Sequence, residues 1–163
     1  MKKDTNPKDL CGVKKWSMAT LSGSVLALLS LAMSEGARKY GRFNWRRKKV
    51  LFSVYYDSTM RHLLACYEGQ DIDPDSGLPH LIKAMSSLHV LMDAVINDLC
   101  VDDRPPRIAN QSFMESLNSK MEVLAAKYPI SVPPYTEKKL YEKTGIKSPI
   151  AKKVRILKGL YRR

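Results

Sequence analysis

The sequence lacks several features on which common functional sites are built. It has no glycine-rich phosphate loop, no internal repeat and no strong strand signal. Its three cysteines, Cys11, Cys66 and Cys100, are far apart, and no Cys-x-x-C pair or zinc-spaced histidine accompanies them. These absences argue against a disulfide framework and a zinc site, and they favour a reducing compartment with inert thiols.

Acidic residues are also scarce, 16 against 28 Lys and Arg, which gives a net charge of +12. The imbalance is uneven along the chain. Residues 1–50 carry +9, residues 51–128 carry −5 and residues 129–163 carry +8. An acidic middle between two basic ends suits an anionic ligand, such as a nucleotide held with a metal, or a nucleic acid.

Residues 16–34 form the one long stretch without a charge. The stretch contains five Ser, one Thr and one Gly, and its dense apolar part is short. A buried helix is therefore favoured over the alternative, a signal or membrane segment. We expect no membrane association.

The apolar residues that are present recur at helical spacing. They predict helices over residues 20–38, 50–68, 78–99 and 111–127, with Gly41 ending the first. Prolines 129, 133 and 134 then break the pattern. We predict an all-α helical bundle of about four core helices with an N-terminal arm over residues 1–128, and a basic C-terminal extension over residues 129–163. Helices apolar on several sides predict a homo-oligomer, either a dimer or a tetramer.

An acidic turn joins the second and third predicted helices. Asp71, Asp73 and Asp75 alternate with apolar or cyclic residues, which suits a divalent cation. The alternative is an ordinary turn in which Asp75 or Ser76 caps the next helix. An EF-hand is excluded, because Ile82 stands where that loop needs a bidentate Glu.

Two further patterns each leave two interpretations open. In the loop over residues 39–49 aromatic rings alternate with cations, which suits stacking on a base, but Trp45 could equally fill the core. His62 suits either packing or chemistry, and Arg61 could pair with Asp57 one helical turn earlier.

Six separated motifs resemble one family. They are Asn6-Pro7-Lys8-Asp9, Glu35-Gly36-Ala37-Arg38-Lys39-Tyr40-Gly41, Asn44-Trp45-Arg46, Arg61-His62-Leu63, residues 69–80 and Val101-Asp102-Asp103-Arg104-Pro105-Pro106. Together, over residues 6–106, they resemble the N-terminal domain of phage dATP/dGTP diphosphohydrolases, which is similar to the MazG-like all-α nucleotide pyrophosphohydrolases. The resemblance implies Mg²⁺-dependent hydrolysis of dGTP or dATP to monophosphate and pyrophosphate in the host cytoplasm.

The resemblance also implies roles for particular residues. The implied Mg²⁺ ligands are Glu35, Asp73 and Asp75, since carboxylates suit a hard cation. The implied catalytic residues are His62, His80 and Asp75. The implied substrate contacts are Lys39, Tyr40, Asn44, Trp45, Arg46, Arg61 and Lys83.

Two departures from the family pattern support alternatives to catalysis. Gln70 stands where the family leads us to expect Glu, and Lys83 where a second His is common. They favour a nucleotide-binding protein without turnover. Charge alone favours a further alternative, a nucleic-acid-associated protein that uses residues 129–163.

Overall fold

The computed structural model of the chain describes residues 7–12, 14–106, 111–129, 132 and 134–145. Backbone contacts divide the chain into two compact units, Met1–Arg104 and Pro105–Arg163. The sequence instead placed the end of the first domain at residue 128, and that domain assignment stays a prediction. Most of the predicted basic extension, from residue 146 onward, lies outside the described residues.

The described residues are mostly helical, which confirms the all-α class. The helices are α1 Pro7–Gly12, α2 Gly23–Tyr40, α3 Phe52–Tyr67, α4 His80–Ile96, α5 Gln111–Lys127 and α6 Glu137–Thr144. Two short parallel strands, β1 Val50–Leu51 and β2 Cys100–Val101, join the start of α3 to the end of α4. Two-residue strands carry too little alternation to be recognised in a sequence.

Helix α2 differs from its prediction at both ends. It begins late because Met18–Thr20 form a separate 3₁₀ turn, in which the Ser17 hydroxyl accepts a hydrogen bond from the Ala19 amide. It ends where Gly41 takes a φ of 92°, which confirms the predicted stop. The expectation of a buried helix is wrong for most of its length, since Ala32 is the residue of α2 that is buried. No helix in the described part of the chain is long and apolar enough to cross a membrane.

In the first unit α4 packs against both α2 and α3. The contacts form two small buried clusters, one of Ala32, Leu78 and Ile82, and one of Trp45, Val90 and Ala94. Because Trp45 lies in the second cluster, the interpretation of this residue as part of the core is confirmed.

Helix α4 also carries an apolar stripe that the described residues leave exposed. Its members follow one another at spacings of four and three residues, as in a coiled coil. They are Leu81, Met85, Leu88, Met92 and Val95, each more than a third exposed.

The second unit contains α5 and α6. Helix α5 coincides with the prediction over residues 111–127. Helix α6 is preceded by its cap, Thr136, whose hydroxyl accepts a hydrogen bond from the Lys139 amide, and it is followed by Gly145 with a φ of 69°. Three of the four predicted core helices therefore belong to the first unit and α5 to the second.

Candidate functional site

The acidic turn between α3 and α4 is closed by backbone hydrogen bonds. The Asp73 amide donates to the Leu78 carbonyl at 2.9 Å, and the His80 amide donates to the Asp71 carbonyl at 2.9 Å. The turn therefore folds back on itself and fixes the position of His80, the first residue of α4.

The carboxylate of Asp73 belongs to this turn. Its Oδ2 accepts hydrogen bonds from the Ser76 hydroxyl at 2.6 Å and the Ser76 amide at 3.3 Å. Burial raises the pKa of Asp73, but these hydrogen bonds outweigh it and hold the pKa below its usual range. The predicted cap at Asp75 or Ser76 is wrong, because Pro79 precedes α4 and its side chain makes no capping hydrogen bond.

The closed turn brings two histidines together. The Nδ1 atoms of His62 on α3 and His80 on α4 are 2.8 Å apart. One nitrogen must donate and the other accept, so at most one ring can carry a positive charge. Burial, followed by the neighbouring His80, lowers the pKa of His62. His80 is 5% exposed, and its Nε2 is buried with no hydrogen-bond partner among the described residues.

A chain of ion pairs links α2 to the turn and to α4. The two oxygens of Glu35 lie 2.6 Å from the Nζ atoms of Lys39 and Lys83, and Lys39 also reaches Asp75 at 2.9 Å. Burial raises the pKa of Glu35, but the two lysines outweigh it and lower that pKa. Hydrogen bonds to Glu35 and Asp75 raise the pKa of Lys39. The lysines and carboxylates here therefore neutralise one another.

These elements surround a cavity of about 240 Å³, the histidine cavity. Its walls come from α2, the loop after α2, α3 and α4. They are formed by Ala32, Met33, Gly36, Tyr40, Asn44, Trp45, Tyr55, Ser58, His62, Lys83, Ser86, Ser87 and Val90. The cavity thus combines aromatic rings, hydroxyl groups, an amide, a histidine and a lysine.

The loop after α2 is anchored to α4 by Asp93. Its carboxylate accepts from the Trp45 indole at 2.7 Å and from two nitrogens of Arg46 at 2.6 and 2.8 Å. The hydrogen bonds from Arg46, then that from Trp45, lower the pKa of Asp93 to about 2. Trp45 is 7% exposed and forms one wall of the histidine cavity. Asp93 therefore sets the position of that wall.

Comparison with known proteins adds an independent observation. Residues 5–104 match the family described as dATP/dGTP diphosphohydrolase, N-terminal. The chain belongs to this family.

The resemblance found in the sequence is thereby confirmed. Over 69 residues, 42% of its length, the chain is 35% identical to the dATP/dGTP diphosphohydrolase of Salmonella phage PMBT28. That match covers 23% of the phage protein. No solved structure matches the chain significantly.

The structure brings only some of the predicted site residues together in one cavity. Tyr40, Asn44, Trp45, His62 and Lys83 line the histidine cavity. Behind these residues, His80 contacts His62, and Glu35 and Lys39 lie in the chain of ion pairs.

Three other predicted residues lie elsewhere. Arg46 forms a salt bridge with Asp93, and its contact with a phosphate stays a prediction. Arg61 is exposed and lies outside the walls of the cavity, and the described residues include no salt bridge between it and Asp57. The Asp75 side chain is 77% exposed.

The predicted magnesium ligands do not fit a metal as they are arranged. In the described part of the chain no group of three or more His, Cys, Asp or Glu side chains could hold a metal ion. Glu35 is engaged by two lysines, Asp73 by Ser76 and Asp75 by Lys39. The ammonium of Lys83 therefore contacts the carboxylate that was expected to hold the cation, and the use of Mg²⁺ stays a prediction.

The sequence interpretation missed Asp93. A signal was present, since this carboxylate interrupts the apolar run Leu91-Met92-Asp93-Ala94-Val95. A charge inside an apolar helix face usually has a fixed partner. The pattern does not say which residue that partner is, because Trp45 and Arg46 lie on a different element.

Proposed function

We propose that this chain binds a deoxypurine nucleoside triphosphate, dGTP or dATP, at the histidine cavity and hydrolyses it to monophosphate and pyrophosphate. The observation that carries the proposal is that one cavity contains both an aromatic and amide wall, from Tyr40, Asn44 and Trp45, and the polar pair His62 and Lys83. Membership of the diphosphohydrolase family supports the same reaction.

The size of the cavity limits how a nucleotide can bind. Small-molecule sites usually measure about 300–1,000 Å³, and this one measures about 240 Å³. It therefore encloses one part of a nucleotide, and the rest extends beyond it. An aromatic wall favours the base or sugar inside, with the phosphates near Lys83.

Hydrolysis requires charge neutralisation and an oriented water. The ammonium of Lys83 can neutralise phosphate charge once it leaves Glu35. The lowered pKa of His62 keeps its imidazole neutral near pH 7, which supports a role as general base toward water. His80 would act through His62 by fixing its tautomer, and is thus a positioning residue.

The test is pyrophosphate release from dGTP, dATP, dCTP, dTTP and GTP, with magnesium and with chelator. We expect release from dGTP or dATP, and a loss of about 100-fold in kcat for His62→Gln. Lys83→Met should weaken substrate binding, and Lys120→Met on α5 is its matched control. Absence of release from every nucleotide by the folded protein would refute the proposal of hydrolysis.

A second candidate function is nucleotide binding without turnover. It is favoured by the pairing of Glu35 with both lysines, together with Gln70 in place of a carboxylate. Calorimetry separates the two functions. Binding of dGTP that is equally tight in magnesium and in chelator, with no product formed, would support binding alone.

We also propose that the apolar stripe of α4 binds a second copy of this chain in a dimer or tetramer. A matching row on α3, Tyr56, Met60, Leu63 and Tyr67, is exposed at the same spacing. Leu88→Glu should lower the mass measured by light scattering, whereas Met18→Glu, similarly exposed before α2, should not. An unchanged mass in Leu88→Glu would refute the proposal.

Nucleic-acid binding through residues 129–163 stays a prediction.

A further inference from the structure

A second cavity lies beside α2 and is not used by the proposed reaction. It measures about 650 Å³, and we call it the arginine cavity. Its walls include Arg38, Arg42, Phe43, Trp45 and His89. Its volume lies within the usual range for small-molecule sites, about 300–1,000 Å³. It is therefore large enough for a ligand that the histidine cavity could not enclose.

The two cavities use different faces of α2. The histidine cavity is lined by Ala32, Gly36 and Tyr40, which follow one another at four-residue spacing. The arginine cavity is lined by Ser30, Ser34 and Arg38, which also lie four residues apart. Each of them comes two residues before the corresponding residue of the histidine cavity. Two residues correspond to about 200° around a helix. Met33 and Trp45 line both cavities, so a ligand in either would contact the same indole.

The charges of the arginine cavity are unbalanced. Among the described residues that line it there is no Asp or Glu. Within the same part of the chain, the side chains of Arg38 and Arg42 have no ion pair or hydrogen bond. The nearby carboxylate, Asp93, is already taken by Arg46 and Trp45. Two guanidinium groups therefore face a cavity that offers them no anion.

The helix dipole accounts for the position of Arg38 but not for that of Arg42. Arg38 lies in the last turn of α2, where a cation complements the helix dipole. Arg42 lies beyond Gly41, outside the helix. Beside it Phe43 takes a φ of 56°, unusual for a residue with a side chain, and its ring lines the cavity.

We propose that the arginine cavity binds a small phosphate-bearing ligand, with Arg38 and Arg42 contacting the phosphate. Guanidinium groups bind phosphate oxygens through paired, charge-assisted hydrogen bonds. Two kinds of ligand carry such a phosphate, free pyrophosphate and a nucleoside monophosphate. The Phe43 ring provides a surface for the base of the monophosphate. The proposal does not depend on hydrolysis at the histidine cavity.

The test is calorimetric titration of the full chain with inorganic pyrophosphate and, separately, with deoxyguanosine monophosphate. The Arg38→Ala/Arg42→Ala variant should bind the preferred probe about tenfold more weakly or worse. Lys14→Ala/Lys15→Ala is the matched control, since it removes the same charge from exposed residues that line neither cavity. It should bind like the wild type.

Three further measurements test the assignment. Lys83→Met should lose less affinity for the probe than the arginine variant does, because Lys83 lines the other cavity. In a Trp16→Phe background Trp45 is the remaining tryptophan, so its fluorescence should change with the probe. Arg42→Lys keeps the charge and should lose less affinity than Arg42→Ala. Circular dichroism of each variant confirms that it is folded.

Several outcomes would overturn the proposal. The first is that the wild type binds neither probe. The second is that the arginine variant and the lysine control lose equal affinity for the probe. The third is that Lys83→Met loses as much affinity as the arginine variant. Binding of oligonucleotides, but of neither small probe, would also overturn it and would indicate a nucleic-acid surface instead. A response to pyrophosphate alone identifies the free anion as the ligand, and a stronger response to the monophosphate identifies the nucleotide.

Discussion

The histidine cavity and the arginine cavity share Trp45 but differ in how their cations are used. In the first, Lys83 lines the cavity and Lys39 lies behind it, and Glu35 and Asp75 neutralise both lysines. In the second, Arg38 and Arg42 line the cavity without such partners among the described residues. A positive residue beside a cavity therefore does not by itself make an anion site. What decides is whether that residue is already paired with a carboxylate.

The largest effect is expected from removing the anchor behind the wall that both cavities share. Asp93→Ala takes away the acceptor of the buried Trp45 indole and of Arg46. It should lower the free energy of unfolding by about 2 kcal/mol, the cost of losing a hydrogen bond between a buried donor and a charged acceptor. It should also weaken ligand binding at both cavities.

Urea unfolding and the two binding assays measure these effects. The control is Asp57→Ala, an exposed aspartate of α3 that lines neither cavity. If Asp93→Ala weakened binding at one cavity and left the other intact, Trp45 would not be a common wall in function.

The next variant converts one cavity toward the character of the other. Glu35→Gln removes the carboxylate that neutralises Lys39 and Lys83, while it keeps a side chain of the same size. The histidine cavity would then contain a less neutralised cation, as the arginine cavity does. We expect about a tenfold gain in affinity for inorganic pyrophosphate.

This gain is measured in the Arg38→Ala/Arg42→Ala background, so that the arginine cavity does not contribute. Glu68→Gln, an exposed position after α3, controls for the change in net charge. An unchanged affinity in Glu35→Gln would mean that pairing is not what distinguishes the two cavities.

A smaller effect concerns acid stability at the shared wall. The pKa of Asp93 in the folded chain is about 2, below its usual 3.8. Its contribution to stability is therefore present above about pH 4 and is lost as the pH falls through the folded pKa. Asp93→Asn should lack that loss, so the stabilities of the two proteins should converge between pH 4 and pH 2. Urea unfolding over this range, with Asp57→Asn as control, measures the convergence, and parallel curves would contradict it.

The sequence predicted the helices better than it predicted the contacts of the site. The 3.6-residue period is a local signal, and it placed α5 at its observed bounds. The pair His62 and His80 depends on the closure of the turn between them, and the pair Glu35 and Lys83 on the packing of α2 against α4. No local pattern encodes such packing. The salt bridge between Arg46 and Asp93 was therefore not predicted.

The smallest effect expected is a change in the pKa of His62. Burial is the main cause of its lowered value and the neighbouring His80 is the next. His80→Phe keeps a ring of similar size in the buried position and removes the second imidazole, so the pKa of His62 should rise toward 6.5 without reaching it. His89→Phe, the same substitution at an exposed histidine of α4, is the control. Titration by NMR measures the shift. A pKa that did not move would mean that His80 does not influence the proton affinity of His62.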